Sequence, residues 1–293
     1  MAGSRARWLA GVAALALVVI PGAQAAATPS PWWAGLTPWQ HETTPLQPFD
    51  PPAPPPVIVI ATGPVTGPSM VAAGPAAPIG SGPMAGRVDC RITKCVALTF
   101  DDGPSPHTER LLDILAAEHV TATFFIIGSR VEERPQVVAR IKAEGHEIGN
   151  HTWSHPQLSR VSADRAAEEY ESTQQAIAGA TGGYRPTVMR PPFGAHDATS
   201  DAAAGQAGLS VIIWDVDTLD WKTKSADATV AAVASGTRPG SIVLMHDTHP
   251  TSVDAVPAMI ADLKAKGYTF VTVTDILDDR GMDAGTVYSH GPR

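Results

Sequence analysis

Residues 87–279 predict an α/β domain whose mainly parallel sheet is curled into a distorted or incomplete (β/α) barrel. Three observations carry this. Short apolar runs alternate with segments of helical periodicity, the pattern of βα units rather than of an all-β or all-α chain. The stretch is roughly 190 residues long, enough for a sizeable core but short of the about 250 that a complete eight-fold barrel takes. Polar clusters recur where the apolar runs end, and α/β folds place their sites at those strand ends.

Taken in order, 96–100 (Val-Ala-Leu-Thr-Phe) reads as a buried strand, followed by strands at 121–127, 211–214, 241–245 and 268–273. Helical spacing of apolar residues predicts helices over 108–117, 135–143, 163–180, 227–234 and 256–266. No internal repeat is visible. Beyond 279 the tail 280–293 is Gly-rich and without pattern, so it is expected to lack order.

The N-terminal region is of another kind. Arg5 and Arg7 precede an apolar run over 8–20, then Pro21-Gly22 and the small residues Ala23-Gln24-Ala25, which reads as an export leader over 1–25. The run is short for a permanent span, which wants about 20 apolar residues. The mature chain is therefore expected to be soluble and secreted, extracellular or associated with the cell wall, with no stable membrane span. Residues 26–86 hold more than half of the 27 prolines and almost no charge, Glu42 and Asp50 excepted, which predicts an extended linker. Within it, 57–60 has the composition of a short strand. Trp32, Trp33 and Trp39 are either stray aromatics or surfaces that stack on sugars or dock back.

Without the leader the formal charge moves from −8 to about −10, 19 basic groups against 29 acidic. With no basic stripe, this disfavours nucleic acid as a partner. Cys90 and Cys95, close together in an exported chain, read as a local disulfide at the start of the first strand.

Five clusters carry chemistry. Asp101-Asp102-Gly103-Pro104 puts two carboxylates where a core strand meets a turn. His151-Thr152-Trp153-Ser154-His155 places two imidazoles so that they converge if the segment is helical or tightly turned. One carboxylate and two histidines make a metal set with positions left open, and the other carboxylate is then free to act as a base, the pattern of a metal-dependent hydrolase. The remaining clusters are Arg190-Pro191-Pro192-Phe193-Gly194, then Asp215 to Trp221, then His246-Asp247.

In this order, residues 99–104, 145–155, 190–194, 217–221 and 244–246 resemble the successive motifs of the polysaccharide deacetylases, the NodB-homology enzymes of carbohydrate esterase family 4. The resemblance spans about 88–279. It implies a NodB-like distorted barrel, a divalent metal, and hydrolysis of acetyl groups on sugar polymers. One departure is visible: the third motif often has Tyr where this chain has Phe193, a position the family uses through its backbone N–H.

On that reading Asp102, His151 and His155 hold the metal, with zinc suited first to mixed N and O donors and Co2+, Ni2+ or Mn2+ able to substitute. Asp101 is the general base and His246 the general acid. The Phe193 N–H joins the metal at the oxyanion. Arg190 orients Asp101. Asp217 is expected to hold His246, chosen over Asp215 and Asp220 because the motif begins there. Trp221 and Leu244 wall the acetyl pocket, with Trp153 and Pro192 along the groove. His107, His146 and His249 are expected to be structural or supporting.

The expected activity is N-deacetylation of N-acetylglucosamine polymers, peptidoglycan or chitin-like oligomers, with an acetylated sugar polymer as the partner. The alternative within the same chemistry is an acetylxylan O-acetyl esterase. A non-catalytic carbohydrate-binding protein would lack Asp101, Asp102 or His246, and all three are present. A phosphoryl-transfer enzyme would want a phosphate loop or more basic residues at the strand ends than Arg190 alone.

Overall fold

The computed structural model of the chain describes residues 88–277 and 281–293. The expected leader at 1–25, the expected linker at 26–86 with Trp32, Trp33 and Trp39, and the strand expected at 57–60 lie outside the described residues.

Parallel strands form a curled half-barrel clothed in helices. In sheet order these are β6 (Val216–Asp217), β7 (Ser241–His246), β1 (Cys95–Gly103), β2 (Thr123–Ile126), β3 (Glu147–Asn150), β4 (Val188–Met189), β5 (Ser210–Ile212) and β9 (Val287–Tyr288). A further strand, β8 (Thr269–Phe270), also pairs with β1. All these pairings are parallel.

Side chains alternate faces along a strand, and both faces of this sheet are buried. Val96, Leu98 and Phe100 of β1 pack with Phe124, Ile126, Val243 and Met245 into a large core under the helices. Cys95 and Ala97 face the other way, with Phe125, Ile242 and Ile212, into the barrel interior. Burial on both sides explains why β1 reads as one apolar run rather than an alternating strand.

Helices α1 (Thr108–Ala117) and α3 (Pro135–Ala143) have the expected bounds. Helix α4 (Ala163–Thr181) starts where the Ser162 hydroxyl accepts the Arg165 N–H. It stops at Gly182, whose φ of 72° is the left-handed conformation that only glycine adopts cheaply. Helix α7 (Ala226–Gly236) is capped by Ser225. Helix α8 (Pro250–Ala265) begins six residues before the expected position and carries Pro257 inside it. Short helices α2 (Gly128–Val131) and α6 (Asp220–Thr223), α5 (Ala198–Gln206) and α9 (Val273–Leu277) complete the set. Among the described residues no helix is long and apolar enough to cross a membrane.

Cys90 and Cys95 are joined in a disulfide at the foot of β1. The tail, expected to lack order, is built into the sheet: β9 pairs with β5, the Gly291 N–H donates to the Gly240 carbonyl, and Arg293 pairs with Asp215. His290 bridges to Ser241 of β7, so the tail brings the β5 edge back towards the opposite side of the sheet. Apart from the Arg293 ion pair these contacts are backbone pairings between distant segments, which leave no hydrophobic periodicity in the sequence.

Candidate active site

The polar clusters emerge at the carboxyl ends of the parallel strands, apart from Asp215 of the fourth, which accepts from Ser241 and the Ile242 N–H at the start of β7. At the end of β1, strand alternation alone would aim Asp101 into the barrel and Asp102 out of it. The register of β1 against β2 slips between Asp101 and Gly103, and Asp102 has φ 71°. This local break in the pleat turns both carboxylates to the same side. The cost of holding Asp102 left-handed is what makes adjacent acids usable together.

The histidine segment is a tight turn rather than a helix, bracketed by Thr152 (φ 64°) and His155 (φ 59°). Asp102 Oδ1 lies 3.4 Å from His151 Nε2 and 3.2 Å from His155 Nε2, and one donor atom from each residue falls within 4.8 Å of the others. The chemistry of the set fits a divalent cation. His151 Nδ1 is 2.7 Å from the Arg190 carbonyl, which only accepts, so Nδ1 carries a proton and Nε2 is the ring atom left to face Asp102 and a cation. Asp102 Oδ1 is buried and accepts no hydrogen bond. Burial opposes the charge on Asp102, but His151 and His155 outweigh it and hold this carboxyl well below the usual carboxylate range. Burial also pushes the His155 pKa down, which favours the neutral ring a metal needs.

Asp101, 3% exposed, sits beside this set with Oδ2 3.8 Å from His151 Nε2. Its Oδ1 accepts from Arg190 Nη1 at 2.8 Å. Arg190 is wholly buried in the barrel interior, its guanidinium over the Phe125 ring, and it donates to Thr99 Oγ1 and to the Ile212 and Ile213 carbonyls. Every arm of the fork is occupied, so the arginine is a fixed strut under Asp101.

Asp101 of β1 stands opposite His246 of β7 in the strand register. The carboxylate that holds His246 is Asp220, and the expectation of Asp217 is corrected here. Asp220 Oδ1 lies 2.8 Å from His246 Nδ1, and Oδ2 accepts the His246 N–H (2.8 Å) and the Ser252 hydroxyl (2.6 Å). Asp217 instead caps its own turn through the Leu219 N–H. Left-handed Leu219 (φ 51°) then swings the chain so that Asp220, at the start of α6, meets the imidazole. Burial would lower the His246 pKa, but the hydrogen bond and charge of Asp220, helped by Asp101 and Asp102, push it up to about 9. Burial raises the pKa of Asp217, as expected of a carboxyl without a cation against it.

Phe193, also left-handed (φ 61°), is 61% exposed, and its ring stands edge-on to His155 at 4.6 Å. Pro192 is buried beside it. Leu244 lies two residues before His246 on the same face of β7, and Trp221 is half-buried just after Asp220. Trp153 packs down onto Gly128, where an added Cβ would come within 2.6 Å of its ring. His107 and His249 sit at the starts of α1 and α8, and His146 is buried against Phe124, accepting the Ala122 N–H. None of these three joins the metal-ligand cluster found among the described residues.

Three supporting residues went unassigned in the sequence. Asn150 accepts the Thr152 N–H, and buried Glu169 accepts from residues 153 and 154. Asp247 accepts from Thr108 Oγ1 at 2.6 Å, has Ser105 on its carbonyl, and is pushed up to about 7 by burial. Glu169 had a legible signal, because it falls within the buried stripe 166, 169, 170, 173, 174, 177 of α4, where a charge needs a partner.

A parallel half-barrel with an Asp-His-His set, an arginine-braced carboxylate and a carboxylate-braced histidine at its strand ends defines the class of carbohydrate esterase family 4 folds. The family model for polysaccharide deacetylase matches residues 89–212. The chitooligosaccharide deacetylase of Bradyrhizobium sp. (strain ANU 289) is 42% identical over 159 residues, 54% of this chain and 73% of that protein. The chain belongs to the polysaccharide deacetylase family. The peptidoglycan-N-acetylglucosamine deacetylase PgdA of Listeria monocytogenes is 42% identical over 191 residues, 65% of this chain, and the match spans only 40% of that longer protein. Among solved structures, a T48 deacetylase with substrate superposes with a TM-score of 0.66 at 43% identity, over 69% of this chain and 99% of that one.

Proposed function

We propose that this chain is an exported, metal-dependent polysaccharide deacetylase that hydrolyses N-acetyl groups of N-acetylglucosamine polymers, peptidoglycan or chitooligosaccharides. The observation that carries the reading is the register of Asp101 opposite His246 across β1 and β7, with the Asp102, His151 and His155 set beside it. That arrangement supplies a base and an acid on either side of one reacting carbonyl. The names of the relatives support N-acetylated sugar polymers as the substrates, and the leader supports export to the cell wall or beyond.

Asp102, His151 and His155 would hold the ion, zinc first by donor type with Co2+, Ni2+ or Mn2+ able to replace it. When bound, the ion supplies Lewis acidity to the acetyl carbonyl and to water. Asp101, kept in place by Arg190, accepts the proton of the attacking water. The Phe193 N–H donates to the oxyanion of the tetrahedral intermediate. His246, charged through Asp220, gives its Nε2 proton to the sugar nitrogen as the C–N bond breaks, so the amine leaves neutral and acetate is the other product. Leu244 and Trp221 would enclose the acetyl methyl, with Pro192 and Trp153 at the margin.

The test is acetate release from chitooligosaccharides, peptidoglycan and acetylxylan, each with metal and after chelation. Release from the first two that is lost on chelation and restored by zinc is expected. Release from acetylxylan alone would make the chain an O-acetyl esterase, and no release from any of them would overturn the catalytic reading.

A further inference from the structure

We infer that Glu169 is a positioning residue that sets the affinity of the metal site, by holding the turn between His151 and His155 in a shape it would not otherwise keep. The inference rests on the reading of Asp102, His151 and His155 as metal ligands.

The two histidines are anchored unequally. The His151 ring has a second tether at Nδ1, on the Arg190 carbonyl. Among the described residues nothing tethers the His155 ring in that way: its Nε2 faces Asp102 and its edge meets Phe193. Where His155 points is therefore decided by the backbone that carries it. That backbone is costly, since both Thr152 and His155 are left-handed without being glycine. Left alone, the turn would relax and take the His155 ring away from Asp102.

What opposes relaxation is a side-chain clamp. Four consecutive amides, of residues 152 to 155, each donate to a side chain rather than to backbone. Asn150 takes the first, Glu169 Oε2 the next two at 2.8 and 2.7 Å, and Thr152 Oγ1 the last. Glu169 Oε1 also accepts the Ser154 hydroxyl at 2.7 Å and pairs with Arg165. On the other side of the turn, the Gly128 and Ser129 N–H groups of α2 donate to the Thr152 and Trp153 carbonyls. Glu169 has a fully buried side chain within the core stripe of α4, so it is held by packing and cannot follow a moving turn. It accepts both middle amides at once, which a shorter or neutral group does less well.

Zinc affinity, measured by competition with a chromophoric chelator, tests this in wild type, Glu169→Gln, Glu169→Ala and Ser154→Ala. Groups that orient ligands are worth about 10–100-fold in metal affinity. We expect Glu169→Gln near the lower figure, since one oxygen can still take both amides, and Glu169→Ala near the upper. Ser154→Ala, which removes one donor and leaves the clamp, should lose only a few-fold. Activity of Glu169→Gln should return towards the wild-type kcat as zinc is raised, which a general loss of structure would not allow. Zinc affinities of both Glu169 variants within twofold of wild type would overturn the inference. So would a loss confined to Glu169→Ala and accompanied by unfolding, with Glu169→Gln unaffected. If wild type itself binds no zinc, it is the reading of the three ligands that fails.

Discussion

Replacing Asp220 with Asn removes the charge that keeps His246 protonated while leaving the ring buried. Holding the imidazolium up to about 9, against an ordinary 6.5, corresponds to ~3 kcal/mol of preference for the charged form. Without the carboxylate, burial becomes the dominant influence on the ring, and a bound cation offsets what Asp102 contributes, so the pKa should fall to 6.5 or lower. At pH 8 the charged fraction then drops from about nine-tenths to about 3%, an ~30-fold loss of acid at that pH. The alkaline limb of kcat/KM should move down by about two pH units or more. Asn also cannot accept from both the His246 N–H and its ring, so a further pH-independent loss and about 1–3 kcal/mol of stability should accompany the shift. The raised histidine pKa stabilises the fold fully below about 6.5, and the contribution fades as pH rises through about 9. Asp220, held low by His246 against the effect of burial, contributes in the opposite window and loses its share as the solution is acidified. The assay is the pH profile of acetate release for wild type, Asp220→Asn and Asp217→Asn. An alkaline limb unmoved in Asp220→Asn, or moved as far by Asp217→Asn, would refute the assignment.

Asp101→Asn should keep zinc binding by chelator competition while lowering kcat by about 10²–10⁴-fold, since it removes the proposed base and leaves the three proposed ligands. Asp102→Asn should instead abolish the rise in Tm that zinc gives the wild type, a rise worth ~4 kcal/mol when free zinc exceeds its Kd 1,000-fold. Deleting 287–293 removes β9, the Gly291 to Gly240 bond and the Arg293 to Asp215 pair. At about 1 kcal/mol for each lost buried hydrogen bond, calorimetry should show Tm lower by several degrees. Thiol titration of the unreduced, denatured protein should find none free, as the Cys90 to Cys95 bond requires.

Much of the site was legible because its residues are chemically out of place. Acids, histidines and a lone arginine at the ends of apolar runs have few structural uses, and five such clusters in order left little choice of fold. The partner of His246 was not legible, because Asp217 and Asp220 differ only by the left-handed step at Leu219, and a leucine gives no signal for that conformation. The break in the pleat at Asp102 was hidden for a similar reason. Helices with an apolar stripe, such as α1 and α3, were found to the residue, whereas Ala-rich α5 has scarcely any stripe to find. The tail escaped because two residues of strand, joined by backbone bonds to segments far away in sequence, carry no local pattern.

Of seven non-glycine residues with positive φ among those described, five lie in the catalytic clusters: Asp102, Thr152, His155, Phe193 and Leu219. At about 1 kcal/mol each they hold on the order of 5 kcal/mol, comparable with the whole net stability of an ordinary domain. The two ends of the barrel must then breathe unequally. Amides of 152–155 and 193–195 should exchange with deuterium long before those of β1, β2 and β7 in the metal-free protein. An ion binding the ligands would bring the two ends closer in protection. Metal-starved protein would accordingly be attacked by proteases first at its strand-end face, and the ion proposed for the chemistry would also lengthen the life of the molecule.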